Sequence, residues 1–267
     1  INNFEFKKLT KFEKVKKIIF KNENIDTNFG CADPFIYKDH IFCELIDKSL
    51  KGLKIDAITK KTHNGGVLAC SKLNEILEFK VILSNVKFHY SYPHIFEENH
   101  KIYMIPETHQ SNKLFLYENI NFPYNWKQKI ILLDNIFCYD CTIFKKNDII
   151  YLFVPSFTIN KNKKKLYSNS IYKSSDLLKD KFKIYQKNVL PNGYRGGGNT
   201  FIKNNKHYIP IQPKNKIYGE KLYIYQIIFE KDNIKFQFEY EIIKNKNISG
   251  IHHLSNYNNK FIIDYYK

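Results

Sequence analysis

Arginine, alanine, methionine and tryptophan are nearly absent from this chain of 267 residues. It contains one arginine, one methionine, one tryptophan and three alanines. Alanine favours helices, whereas the abundant isoleucine, phenylalanine and tyrosine favour strands. Hydrophobic residues make up 43% of the chain, which suffices for a large core at this length. The composition therefore predicts a folded, β-rich protein.

The shortage of arginine also argues against a nucleic-acid partner. The formal net charge is +17, but all basic residues except Arg195 are lysines, and they are spread along the chain. Proteins that read nucleic acids usually need the bidentate guanidinium fork. We expect no nucleic-acid partner. A basic protein would still attract sugar nucleotides, acidic glycans or a lipid headgroup surface, so peripheral membrane contact stays open.

Several motifs of cofactor and metal sites are missing. The sequence has no dinucleotide-binding or phosphate-loop pattern, no DxD motif and no histidine pair at helical spacing. Its five cysteines form no zinc pattern, so we read them as reduced residues of a cytoplasmic protein. No signal peptide or apolar run long enough to cross a membrane is recognisable. We predict no cofactor, leave a divalent metal open, and leave open that the chain is part of a longer one.

A repeat of roughly 50–60 residues organises the chain. Each unit opens with a short polar or Pro/Gly segment and continues as a strand, a polar turn and an aromatic strand. The five copies are "ADPFIYKDHIFCEL", "YPHIFEENHKIYMIPE", "YDCTIFKKNDIIYLFVP", "GGNTFIKNNKHYIPIQP" and "IHHLSNYNNKFIIDYY". This predicts one domain, 1–267, that is an all-β five-bladed β-propeller with four antiparallel strands per blade. Inner strands should start near residues 33, 92, 140, 198 and 252, and residues 1–30 should close the ring; a β-sandwich is the alternative.

Equivalent positions of the blades should meet at one mouth of the central channel, and carboxylates lie at two of them. Asp33 and Asp140 occupy equivalent places in the first and third units, while Glu107 closes the second hairpin. Two carboxylates that face one cavity suit glycosyl chemistry, one as base or nucleophile and one as acid or orienting group. The alternatives are a turn-capping aspartate and a solvated loop glutamate.

Histidines and a tyrosine cluster near the same positions. Tyr92 is the equivalent residue of the second unit, where its ring could stack on a sugar face, and His89 and His94 flank it. His252 and His253 open the fifth unit, and strand alternation predicts that only one of them faces the channel. We expect one histidine of each group to hydrogen-bond a sugar hydroxyl or a phosphate. A satisfied core residue is the alternative for each.

The single arginine stands in "YRGGG" at the opening of the fourth unit. Gly196, Gly197 and Gly198 would let a ligand approach the backbone and leave N–H groups free for an anion. Arg195 could grip a diphosphate or a carboxylate with two N–H groups. Gln212 and Tyr218, from "QPKNKIYG", are further candidates to line the mouth. A glycine bulge in a strand is the structural alternative.

The run from "HYSYPHIF" to "DIIYLF", together with "ADPF", "GYRGGGNTF" and "GIHHLS", resembles the propeller domain of the glucosamine inositolphosphorylceramide transferase family and its bacterial relatives. That domain is related to five-bladed glycosidases of the arabinanase and β-xylosidase kind. The resemblance implies glycosyl chemistry, with Asp33 and Asp140 as candidate catalytic carboxylates. The hydrolases place a general-acid glutamate on a later blade, where this chain has Arg-Gly-Gly-Gly, so Glu107 would have to act in its place.

The sequence thus predicts a cytoplasmic glycosyltransferase of surface-polysaccharide synthesis. It would move a sugar from a nucleotide donor to a saccharide or lipid-linked acceptor. Asp33 would activate the acceptor or stabilise the transition state, Asp140 and Glu107 would orient the sugar or tune Asp33, and Arg195 would hold the phosphates. One alternative is a glycoside hydrolase on furanosides or xylosides, and another is a non-catalytic glycan-binding propeller.

Overall fold

A computed structural model describes most of the chain from residue 17 onward. The described residues are 17–20, 25, 30–50, 54–55, 62–63, 65–85, 87–215, 217–243, 250–258 and 260–264. They form an all-β protein in which the only helices are two short 3₁₀ turns, Lys48–Leu50 and His109–Ser111. None of the helices in these ranges has the length and apolarity needed to cross a membrane.

The strands follow one another in chain order with few long connections. They are β1 (Lys17–Phe20), β2 (Ala32–Tyr37), β3 (His40–Asp47), β4 (Lys54–Ile55), β5 (Thr62–His63), β6 (Gly65–Lys72), β7 (Ile76–Leu83), β8 (Ser91–Glu98), β9 (Lys101–Glu107), β10 (Lys113–Asn121), β11 (Asn125–Asp134), β12 (Phe137–Cys138), β13 (Thr142–Lys146), β14 (Ile149–Ile159), β15 (Lys165–Ser174), β16 (Lys183–Lys187), β17 (Arg195–Gly196), β18 (Phe201–Lys203), β19 (Lys206–Gln212), β20 (Lys221–Phe229), β21 (Ile234–Ile243), β22 (Leu254–Tyr257) and β23 (Lys260–Ile263).

These strands form four antiparallel meanders, each of which is one blade of a propeller. The first blade has the order β2-β3-β6-β7 from the inside outward, and the second is β8-β9-β10-β11. In the third and fourth blades the inner strand is in two pieces, β12 with β13 and β17 with β18. Each blade therefore repeats the predicted pattern of two hairpins, and β4 with β5 forms a small separate hairpin.

Apolar side chains fill the spaces between neighbouring blades. Phe35, Phe42 and Met104 belong to one cluster, shared by the first and second blades, and the other gaps are filled in the same way. Strand β22 packs against β2, where Ile36 donates its backbone N–H to Ser255 Oγ at 3.0 Å. Leu254 packs with Leu222 of the fourth blade. The β22–β23 hairpin therefore lies between the fourth blade and the first.

One part of the architectural prediction needs correction. We predicted five blades of four strands, but the described residues form four such blades, with only the two-stranded β22–β23 sheet in the fifth place. That residues 1–30 close the ring stays a prediction; within them, β1 pairs in parallel with β7, the outer strand of the first blade. There it covers backbone groups that an edge strand would otherwise expose. The rest of 1–30, apart from Ile25 and Gly30, lies outside the described residues.

The start of each complete blade's inner strand has an unusual backbone conformation. Asp33, Tyr92 and Asp140 have positive φ values of 48°, 47° and 45°, and Gly198 has a φ of 140°. The strand pairing shifts register or breaks at each of these residues, as in a β-bulge. Four of the five positions aligned from the sequence are thus the same structural feature. A bulge re-aims its side chain, and these four bulges all lie at one mouth of the channel.

Candidate active site

The mouth at which the inner strands begin holds the three predicted carboxylates. Asp33 and Asp140 stand on the bulges of the first and third blades. Glu107 ends β9 and is paired with Ser91, so it lies at the same mouth in the second blade. All three side chains are buried. The repeat therefore brings together residues that are 33 to 107 positions apart in the sequence.

Arg195 lies between these carboxylates and its neighbours on the fourth blade. Its Nε is 3.0 Å from Asp140 Oδ2 and donates to Gln212 Oε1 at 2.5 Å. Its Nη2 donates to the Tyr218 hydroxyl at 2.7 Å. The guanidinium therefore bridges a carboxylate and a hydroxyl of the protein itself, Asp140 through Nε and Tyr218 through Nη2. With 27% of its side chain exposed, Arg195 still offers one accessible edge at the mouth.

Asp140 and Glu107 share a hydrogen bond, and their pKa values are shifted in opposite directions. Burial raises the pKa of Asp140 well above its ordinary value, and the nearby charges of Glu107 and Asp33 raise it further against the opposing effect of Arg195. Burial would also raise the pKa of Glu107, but hydrogen bonds from His109 and Asp140 lower it to about 2. His109 Nδ1 lies 2.6 Å from Glu107 Oε1. Of the two groups, Asp140 therefore binds a proton more readily and Glu107 keeps its charge more readily.

Asp33 is instead held as a carboxylate by an adjoining ion-pair chain. His252 Nε2 lies 3.2 Å from Asp33 Oδ1, and His252 Nδ1 lies 2.9 Å from Asp264 Oδ2. Burial alone would lower the pKa of His252, but the two carboxylates raise it to about 10. Burial would raise the pKa of Asp33, yet the hydrogen bond and charge of His252, with His253 and Arg195, lower it overall. The pKa values of the two aspartates are thus shifted in opposite directions, lowered for Asp33 and raised for Asp140.

His253 and His94 form the neutral, apolar side of the Asp33 environment. His253 Nδ1 lies 3.6 Å from Asp33 Oδ1, and both histidine rings pack against the Phe35 ring. Burial lowers the pKa of His94 to about 3 and that of His253 to about 4. The prediction that only one of His252 and His253 faces the channel is wrong, since both approach Asp33. Strand alternation does not apply because β22 begins only at Leu254.

One set of side chains in the described part of the chain has the spacing of a metal site. One ligand atom from each of Asp33, His252 and Asp264 lies within 4.8 Å of the others. A cation there would have to displace the proton of His252, because both ring nitrogens already face carboxylates. The same three residues therefore form an internal ion-pair chain and have the ligand spacing of a metal site.

The three glycines are explained by close packing. A Cβ atom on Gly196 would lie 2.2 Å from the carbonyl oxygen of Asp140, and one on Gly198 would lie 1.7 Å from that of Leu254. The N–H groups of Gly197 and Gly198 are also occupied, since they donate to the Pro210 carbonyl and the Tyr92 hydroxyl. The expectation that these two N–H groups are free for an anion is therefore wrong. The glycines let the fourth blade approach its neighbours.

Tyr92 holds three blades together at the centre of the mouth. Its hydroxyl donates to the Gly198 carbonyl at 2.9 Å and lies 2.9 Å from Thr142 Oγ1. The ring is 1% exposed, so no face is available for a sugar. His89 contacts the first blade, with Nε2 3.1 Å from Glu44 Oε1 and Nδ1 accepting from Gly66 N–H.

Tyr218 is the candidate whose ring is accessible. It is 54% exposed, lies beside the His252 ring with a centroid distance of 5.1 Å, and covers the Arg195 guanidinium at 5.2 Å. Gln212 is buried beneath it and accepts from Arg195. Of the residues proposed to bind substrate, Tyr218 and Arg195 therefore present the surface that a ligand would first meet.

Comparison with known proteins identifies the family of the chain. Residues 15–253 match the family model described as "Glucosamine inositolphosphorylceramide transferase 1, N-terminal". The chain belongs to this family. It is 28% identical over 216 residues to glucosamine inositolphosphorylceramide transferase 1 of Arabidopsis thaliana, which covers 78% of this chain and 26% of the relative. The chain thus spans about a quarter of the length of the curated relatives it matches.

Solved glycosidases share the fold. An exo-β-1,3-galactanase of Phanerochaete chrysosporium has a TM-score of 0.55 at 11% identity, covering 81% of this chain and 50% of its own. The α-L-arabinanase of Cellvibrio cellulosa has a TM-score of 0.51 at 15% identity, covering 78% and 76%. At these identities the likeness shows the fold alone, an all-β propeller with antiparallel strands.

Two residues of this family member's site escaped the sequence analysis. Asp264 lies just after β23 in "FIIDYY", and its carboxylate also accepts the backbone N–H groups of His252 and His253. His109 follows Glu107 in "PETH" and fixes its carboxylate. The position of His109 two residues after Glu107 could have suggested that the two side chains are in contact. Nothing in the sequence near Asp264 signals a link to residues of another strand.

Proposed function

We propose that this domain binds glycosyl substrates at the Asp33–Asp140–Glu107 mouth and acts in transfer of a sugar from a nucleotide donor to a saccharide or lipid-linked acceptor. Membership of a transferase family supports the reaction class. The observation that carries the proposal is the convergence of three buried carboxylates around one arginine, where the pKa of Asp33 is lowered and that of Asp140 is raised. Two carboxyl groups whose pKa values are shifted apart can act as base and acid in one reaction.

The residues have distinct roles in this proposal. The Asp33 carboxylate would accept the proton of an acceptor hydroxyl or stabilise a cationic transition state. Asp140 would donate a hydrogen bond or its proton to an oxygen of the sugar, and Glu107 would keep that proton on Asp140. The exposed edge of Arg195 would contact the donor phosphates, and Tyr218 would stack on a sugar or a base.

The setting of the reaction is part of the proposal. We propose synthesis of surface polysaccharide in the cytoplasm, and the five free thiols of the chain support a reducing compartment. We also propose that the β22–β23 hairpin is the inner half of a fifth blade, because it occupies the fifth repeat position.

Ligand-induced stabilisation tests the proposal directly. A ligand that binds only the folded state raises the melting temperature. We expect nucleoside diphosphate sugars to raise it, and we expect Tyr218→Ala and Arg195→Lys to reduce the shift. Ile120→Ser, an exposed residue in the second blade, is the matched control. A wild-type chain that responds to no nucleotide or sugar nucleotide would contradict the transferase proposal.

Glycoside hydrolysis is the second candidate, favoured by the raised pKa of Asp140, which suits a general acid. It predicts release of the aryl group from aryl furanosides or xylosides without nucleotide. Asp33→Asn should then lower turnover by about a hundredfold or more. If the chain binds glycans but neither transfers nor cleaves them, it is a binding module. The share of the relatives that it covers, about a quarter, would suit that outcome.

A further inference from the structure

Two loops beside the candidate active site combine lysines with exposed apolar side chains. One is the turn between β14 and β15, residues 159–166, with the sequence "INKNKKKL". The other joins β19 to β20, residues 213–221, with the sequence "PKNKIYGEK". Both follow the second strand of a blade, as Glu107 does, so both lie on the face where the inner strands begin. We call the described residues of these two segments the basic rim.

The apolar residues of the basic rim are exposed where a soluble surface would favour polar ones. Leu166 is 53% exposed, Ile217 is 55% exposed, and Ile159 and Tyr218 are also exposed. Single exposed apolar residues are common on proteins and need no explanation. Four of them on two adjoining loops are more informative, because they can enter the same apolar phase together.

Contacts join the two loops to each other and to the active site. Lys214 Nζ of the second loop lies 4.8 Å from the ring centroid of Tyr167, just after the first loop. The Tyr167 ring packs on Phe157, whose ring lies 6.2 Å from that of His109, the partner of Glu107. Tyr218 contacts Arg195 directly. The basic rim is therefore continuous with the mouth.

The charge of the basic rim is of one sign over most of its length. Lys161, Lys163 and Lys164 are exposed, and no acidic residue occurs between Asp148 and Asp176. Lys214 and Lys221 add to the second loop, which contains one acid, Glu220. Lysines around exposed apolar residues suit an anionic bilayer, in which cations meet the headgroups and apolar side chains reach the acyl boundary. A nucleic acid would favour arginine, and the single arginine is already bound to Asp140.

We infer that the basic rim docks the domain on an anionic lipid bilayer, with the mouth of the channel turned toward the membrane. This orientation would bring the site to lipid headgroups. That they carry the acceptor rests on the proposed function, whereas docking itself does not. Salt should weaken docking, because lysine–headgroup attraction is screened.

Sedimentation with vesicles tests the inference without any nucleotide or turnover. The probes are vesicles of phosphatidylcholine alone and of phosphatidylcholine mixed with phosphatidylserine. We expect the wild-type chain to bind the mixed vesicles only. Reversing three charges with Lys161→Glu, Lys163→Glu and Lys164→Glu should lower partitioning by about a hundredfold. Ile217→Ser should lower it several-fold even when the lysines remain.

Matched variants on the opposite face separate a docking surface from overall charge. Lys179→Glu, Lys181→Glu and Lys183→Glu make the same charge change at the other end of the third blade. Ile120→Ser removes a similarly exposed isoleucine near the same face in the second blade. We expect both controls to bind vesicles like the wild type, with unchanged melting temperatures in every variant. Three results would overturn the inference. They are no binding to mixed vesicles, equal losses in both lysine triples, and tighter binding of single-stranded RNA than of mixed vesicles.

Discussion

Replacing Gly198 with alanine should strongly destabilise the fold, because the glycine lies where two parts of the ring meet. An added Cβ would lie 1.7 Å from the Leu254 carbonyl oxygen, and the residue's φ is 140°. Leu254 cannot retreat easily, since its N–H donates to the Gly197 carbonyl at 2.7 Å. Backbone strain of this kind costs about 1–3 kcal/mol. Overpacking adds about 1–3 kcal/mol more.

We therefore expect Gly198→Ala to lower the free energy of unfolding by about 2–6 kcal/mol, a large part of the stability of an ordinary domain. The measurement is urea unfolding with linear extrapolation. Gly30→Ala is the matched control. Gly30 also has a positive φ, 62°, but a Cβ there would meet nothing within 4 Å, so the loss should be about 1–2 kcal/mol.

Gly197→Ala should fall between these two variants. Its nearest obstacle is Leu222 Cδ1 at 2.4 Å, the movable end of a side chain, and its φ is not positive. The packing explanation of the triplet would be refuted if Gly198→Ala were as stable as Gly30→Ala. If that stable variant also lost its thermal shift with a nucleotide, the glycine would be serving the ligand.

The remaining predictions concern the charges of the site. Asp264→Asn should lower the pKa of His252 from about 10, which histidine NMR can follow. Because His252 contacts Asp33, the acid limb of a pH–rate profile should shift as well, which turnover measurements can follow. The stabilisation from the raised pKa of His252 is fully present below about pH 6.5 and is lost as the pH rises toward 10. Urea midpoints of the wild type should therefore fall over that range, and those of Asp264→Asn should change less. Arg195→Lys keeps the charge, but the lysine cannot contact Asp140 and Tyr218 together. We therefore expect the free energy of unfolding in urea to fall by about 1–3 kcal/mol. An unchanged midpoint would contradict the bridging role given to the guanidinium.

The sequence was sufficient to locate the inner strands because the repeat is carried by local turn chemistry. The hairpin turns recur at similar intervals, so Asp33 and Asp140 could be aligned without a structure. The raised pKa of Asp140 could not be foreseen, since it depends on burial and on Glu107 from another blade. The number of complete blades was also missed, because a sequence repeat identifies the inner hairpin of the fifth unit without showing which strands lie outside it.

Tyr92 shows why conformation was harder to predict than position. Positive φ suits glycine, asparagine or aspartate, and a tyrosine with a φ of 47° is unusual. Hydrogen bonds of its hydroxyl to the third and fourth blades, including those with the Gly198 N–H and carbonyl, offset this backbone strain. From the sequence, Tyr92 was expected to stack on a sugar, whereas in the structure it joins three blades by hydrogen bonds.

The bulges connect the repeat to the chemistry. Each complete blade bends its inner strand at the same point, and the residue there decides what the bend contributes. In the first and third blades this residue is an aspartate. In the second it is Tyr92, which hydrogen-bonds to the fourth blade, and in the fourth it is Gly198, whose lack of a side chain lets the Leu254 backbone pack closely. A carboxylate on such a bulge is buried and held in place by the backbone. The direction of its pKa shift therefore depends on the charged groups that neighbouring blades place beside it. For Asp140 that group is Arg195, opposed by Glu107, and for Asp33 it is His252. The opposite pKa shifts of two equivalent aspartates thus follow from differences between their neighbours in the ring.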